Sequence, residues 1–237
     1  MREVVGRAYR YGRFAPPFYP EPANVTSNVS SMENALRAGV AIYNVGEYHD
    51  AHDAWEKWWL DADDGEDDER LLHGLIQFTA VVHHARRRNW SGAQRLAGSA
   101  REYLTGLPDD YRGVDLAAVR AELARLAADP ERAERRRPMR LTYDGEALSL
   151  DDLNFEAAAV VAHVRAENDD RFDEGRIAAG VEAAREEREG GFETRYIALV
   201  MDFATGSDAE RPIIYRRLCD HLERREQKER DVEGLFE

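Results

Sequence analysis

The chain has 237 residues, 43% of them hydrophobic, enough apolar material for one sizeable core. Asp and Glu total 47 against 33 Lys and Arg, a formal net charge of −14. That balance offers no broad basic face to nucleic acid. No apolar run reaches the roughly 18 residues that a membrane-spanning helix needs.

The positive charge is almost all arginine, because Lys57 and Lys228 are the only lysines. Guanidinium is more weakly hydrated than ammonium. An acidic, lysine-poor composition resembles that of salt-in halophiles, where a Debye length of about 3 Å in molar salt screens repulsion among carboxylates. The single cysteine, Cys219, excludes an intramolecular disulfide and suits the cytosol, and the charged N-terminus has no apolar core of a secretory signal.

In chain order, residues 1–29 carry Pro16, Pro17, Pro20 and Pro22 without helical period and read as an extended arm. Ser30 and Glu33 form a capping-box pattern, which predicts a first helix ending near Asn44 and Gly46. A second helix is expected over about 46–62, followed by the acidic loop "DADDGEDDE". A third, over about 67–87, is apolar on most sides and belongs at the centre of a bundle. A fourth follows an Asn89 cap over about 90–106, and a fifth stops before Pro130. Alternation around Asp144-Gly145 predicts a small β-hairpin near 139–149. Ser149 with Asp152 then opens a helix to about 166. Residues 167–237 read as a charged helical C-terminal extension, with helical pieces near 173–188, 192–204 and 210–230, either packed on the bundle or loosely tethered. The expectation is thus an all-α helical bundle, with an arm over 1–29, the bundle over 30–166 and the extension over 167–237.

The segment "YHDAHDAWEKWW" holds the chemistry. At about 100° per residue, His52 and Glu56 fall among Val45, Tyr48 and Trp59, on the face expected to be buried, with His49 at its edge. A carboxylate buried there must be paired, protonated or bound to a cation. On the third helix His73, Gln77 and His84 share a narrow stripe. Two antiparallel helices carrying His52, Glu56, Gln77 and His84 would close four polar groups around one centre.

At this level the chain resembles the family called Domain of Unknown Function 309. His52, Glu56 and Trp59 meet its His-x3-Glu-x2-(Trp or Tyr) signature, and Gly74, Leu75, Ile76 and Gln77 its Gly-Leu-Ile-Gln. His84 stands where the family has a histidine seven residues after that glutamine. Arg88 replaces a usual glycine, and His49 a usual aromatic residue. The likeness covers roughly residues 32–106. It implies an all-helical fold and a suspected metal-binding motif, and no activity.

Two functions follow. In the first, His52, Glu56 and His84 are metal ligands for zinc, manganese or iron, Gln77 completes the shell or binds a small molecule, and Glu56 is the candidate general base. In the second, the buried His-Glu-Gln cluster only fixes helix packing in a non-enzymatic scaffold, and function lies in protein partners or a homo-oligomer. Neither assigns a reaction, and neither involves nucleic acid or membrane.

Overall fold

The computed structural model describes residues 25–190 and 195–233. They form helices α1 (Val25–Val45), α2 (Tyr48–Asp61), α3 (Asp67–Arg86), α4 (Trp90–Leu104), α5 (Leu116–Ala128), α6 (Arg132–Arg135), α7 (Phe155–Glu167), α8 (Glu174–Gly190), α9 (Arg195–Thr205) and α10 (Arg211–Glu233). Two short antiparallel strands, β1 (Asp110–Tyr111) and β2 (Val114–Asp115), pair in the register Asp110↔Asp115. The chain is all-α. Among the described residues no helix is long and apolar enough to cross a membrane.

Local sequence fixes most helix ends. Asn89, Asp115 and Asn154 each accept a hydrogen bond from a backbone N–H in the first turn that follows, at 3.1, 2.9 and 2.8 Å. Gly46, at φ +93°, closes α1 by donating to the Tyr43 carbonyl at 2.9 Å. The arm expected over 1–29 lies outside the described residues as far as residue 24. From Val25 the backbone is already helical, so Ser30 sits inside α1 and not at its start. The Ser149–Asp152 capping box forms, but on a single 3-10 turn (Leu150–Asp152). Leu153 then extends and Asn154 starts α7 afresh.

The expected turn at Asp144–Gly145 is made, with both residues at positive φ and reciprocal bonds between Tyr143 and Glu146. It does not lengthen into a two-stranded ladder. The Asn44 side chain takes the backbone instead, donating to the Leu141 and Leu148 carbonyls at 2.9 Å each and accepting from the Leu141 N–H at 2.8 Å. Tyr143 bridges to Val114, so this turn docks beside the β1–β2 pair, which is where the paired strands lie.

α3 runs between α2 and α4 with Leu71, Leu72, Leu75, Ile76, Phe78, Val81 and Val82 buried. Gly74 lets α4 approach. A Cβ there would lie 2.4 Å from Leu104 Cδ2. On the other flank α2 buries Ala51, Ala54 and Trp55 against α1. The Trp55 indole lies across Gly39, where a Cβ would come within 2.2 Å of the ring, and its Nε1 donates to the Ala35 carbonyl at 3.1 Å.

α7 covers the remaining side of α1 and is covered in turn by α8 and α9, with α10 outermost against α8 and α9. Phe172, Val200, Phe203, Leu218 and Leu222 join the same hydrophobic cluster as α1 to α5. The C-terminal helices therefore pack on the bundle.

His163 on α7 is a titrating element of this packing. Burial, with Lys57 and Arg185 nearby, pushes its imidazole down from 6.5 to about 4. Below its ordinary value the unfolded chain takes up a proton that the folded chain refuses, so stability falls as pH drops from about 6.5 to about 4. The expected loss is about 3 kcal/mol. Denaturant unfolding of the wild type and His163→Gln at pH 7 and pH 4 checks this, because the variant should lack that share of the acid loss.

Candidate functional site

α2 presents His52 and Glu56 one turn apart, with His52 Nε2 3.6 Å from Glu56 Oε1. Both side chains are half-exposed, at 29% and 44%, and do not lie in the middle of a buried face. The reason is the Trp55–Gly39 contact. It turns Ala51, Ala54 and Trp55 toward α1, and His52 and Glu56 come to the rim.

Asp53 joins them. Its carboxylate accepts from Asn168 Nδ2, just past the end of α7, at 2.7 Å, and lies 2.8 Å from His49 Nδ1. One ligand atom each from His52, Asp53 and Glu56 falls within 4.8 Å of the others. The same holds for His49, Asp50 and Asp53. The surroundings are strongly acidic. Asp50 is held above its usual range by burial and by Glu47 and Asp53, against the opposing effect of Arg165. Glu167 is raised by burial and by Asp53, Glu174 and Glu56. Crowded carboxylates raise one another in this way because each disfavours the charge of the next.

Gln77 and His84 stand elsewhere. His84 Nδ1 faces Asn89 Nδ2 at 2.9 Å at the C-terminal end of α3, and His84 belongs to neither donor group on α2. Gln77 is buried, and its Nε2 donates to His73 Nε2 at 3.0 Å. His73 Nδ1–H in turn donates to Glu69 Oε1 at 3.3 Å, and Trp59 Nε1 donates to the same oxygen at 2.8 Å. The imidazole is stacked on Tyr103 with centroids 3.8 Å apart. Burial holds His73 below its ordinary range, more strongly than Glu69 raises it, and His52 adds to the lowering. A neutral ring with its proton on Nδ1 satisfies both neighbours. Gln77 Oε1 has no hydrogen-bond partner among the described residues.

The four groups expected at one centre thus fall in three places, with His84 apart beside Asn89. A half-exposed set on α2 contains His52, Asp53 and Glu56. A buried chain on α3 contains Glu69, His73 and Gln77, with His52 near enough to be felt by His73. Sequence reasoning missed Asp53, whose place depends on Asn168 far along the chain. It also missed Glu69, whose i, i+4 relation to His73 was open to view.

An imidazole nitrogen with two carboxylates is a donor set for zinc, manganese or iron(II). The buried chain satisfies Glu69 and His73 by its own hydrogen bonds and leaves Gln77 Oε1 over. No curated protein matches the sequence. The stretch that carries both clusters, residues 36–96, matches the family model described as domain of unknown function (DUF309).

Proposed function

We propose that this protein binds a divalent metal ion at His52, Asp53 and Glu56. The observation that carries the reading is the meeting of three ligand atoms of suitable type within 4.8 Å on one helix. Repulsion among Asp50, Asp53, Glu56 and Glu167 supports it, since a bound cation relieves that repulsion. Asn168 steadies Asp53 as an outer-shell donor steadies a ligating carboxylate. In this reading Glu56 is a ligand, and the half-exposed setting leaves coordination positions open to water or a small molecule. The lone cysteine supports a reducing compartment such as the cytosol, and the acidic, lysine-poor composition supports work in concentrated salt.

Calorimetric titration of chelator-treated protein with Mn(II) and Zn(II) tests this. One saturable site per chain is expected, with affinity falling at least roughly tenfold in Asp53→Asn and in Glu56→Gln. Absence of a saturable site, or equal affinity in the variants, removes the reading. A second reading, a scaffold without chemistry, is favoured by the Glu69–His73–Gln77 chain, which links α3 to Trp59 of α2 without an ion. It predicts that chelation leaves the melting temperature unchanged.

A further inference from the structure

A small cavity lies where the end of α1 meets α5, α6 and the segment after α6. Its polar lining is Tyr43 from α1, Glu122 from α5 and Arg132 from α6, with the exposed side chains of Arg136 and Arg137, and its other walls are apolar. It encloses about 10 Å³, roughly the room of a single water molecule. Tyr43 is 2% exposed, and its hydroxyl has no hydrogen-bond partner among the described residues. The Arg132 Nε–H is also buried and also without a hydrogen-bond partner. It stands 3.6 Å from Glu122 Oε1, too far for a hydrogen bond and near enough for both to touch one interposed atom. The other oxygen of Glu122 accepts from Arg125 at 3.1 Å. Buried polar groups in folded proteins are almost always paired, with protein or with water. Here two unpaired ones line the same small space.

We propose that this cavity is a site for one water molecule, which joins Tyr43 of α1 to Glu122 of α5 and Arg132 of α6. The three groups select the occupant. A guanidinium N–H only donates, a carboxylate oxygen only accepts, and a phenol does either. The occupant must therefore accept and donate at once. A metal ion or ammonium accepts nothing and would abut the guanidinium group. A halide donates nothing and would abut the carboxylate. Water does both, accepting from Arg132 Nε, donating to Glu122 Oε1 and meeting the Tyr43 hydroxyl with a third bond. Burial, with Tyr48 and Glu122 nearby, holds the Tyr43 phenol well above its ordinary range, so it stays neutral. The site is separate from the His52, Asp53 and Glu56 set, and the metal reading does not depend on it.

A high-resolution crystal structure of the full chain tests this. One density peak is expected at about 2.5–3.2 Å from each of Tyr43 Oη, Glu122 Oε1 and Arg132 Nε. No peak, or a Tyr43 hydroxyl bonded directly to Glu122, overturns the proposal. A peak with the anomalous scattering of chloride, or with the short contacts of a metal ion, overturns the choice of water. In Tyr43→Phe, which removes only the hydroxyl, the peak should weaken or leave, and a peak of unchanged height would take Tyr43 out of the bridge. In solution, oxygen-17 relaxation dispersion counts long-lived waters whatever their proton exchange. Glu122→Leu, which replaces the acceptor by an apolar group of similar size, should lower that count by one per chain. An unchanged count in a folded Glu122→Leu would sink the site, and the wild-type crystal structure decides the matter should that variant not fold.

Discussion

Trp55→Ala is expected to lower stability by about 3–5 kcal/mol, the usual cost of emptying a large core site. For a chain of this length that corresponds to a melting temperature lower by roughly 10 °C. Trp55 is fully buried, and its indole fills the space that Gly39 leaves on α1. Its Nε1–H bond to the Ala35 carbonyl would be lost as well. A double-mutant cycle isolates the contact. Gly39→Ala alone should be strongly destabilising, because its new methyl group would stand 2.2 Å from the ring. In the Trp55→Ala background the same change meets no ring and should recover up to about 1 kcal/mol of helix propensity. Additive effects in that cycle would show that α1 and α2 do not meet through these residues.

Glu69→Ala is the second large effect. Glu69 is buried and accepts from both Trp59 Nε1 and His73 Nδ1. Its removal leaves the buried His73 donor and the part-buried Trp59 donor without an acceptor, and a loss near 3 kcal/mol is expected after relaxation. Glu69→Gln retains one acceptor oxygen and should cost less. The sign of a second measurement is also fixed. Glu69 raises the His73 pKa, so in Glu69→Gln the imidazole should titrate lower still. Affinity for Mn(II) at His52, Asp53 and Glu56 should stay unchanged in Glu69→Gln. A parallel collapse of metal binding would mean that the two clusters work as one.

Helix order, the Asn89 cap and the central place of α3 were legible from the sequence, because each depends on a few neighbouring residues. Asn89 and Asp152 act where their spacing placed them, though Asp152 caps a 3-10 turn and not α7. Ser30 lies within α1, which begins upstream of it. The buried face of α2 was misjudged for a definite reason. Weighting the aromatics placed the core side near Tyr48, His52 and Trp59. The face that packs on α1 instead contains Ala51 and Ala54, whose small size lets two backbones approach, with Trp55 directed at a glycine. Close approach depends on what is absent from a side chain, and hydrophobic periodicity hardly registers it. The pairing of His52 with Glu56 followed from spacing on one helix. The separation of Gln77 and His84 from them depended on how α2 rotates against α1 and α3, which spacing does not determine. His73, on the same stripe but outside the four groups expected at the centre, is the middle member of the buried chain.

α7 reaches across to the start of α2. Arg165 donates to Glu47 at 3.1 Å and to the Gly206 carbonyl at 3.1 Å, and Asn168 donates to Asp50 and Asp53. The turn after α9, the end of α7 and the proposed ligands therefore form one mechanical unit, although only the last of these lies in residues 36–96. A shortened version ending near residue 130 would keep every suspected donor. It would also strip the neighbour that aims Asp53 and bare the side of α1 that α7 covers, so its metal affinity and solubility would not report on the intact molecule.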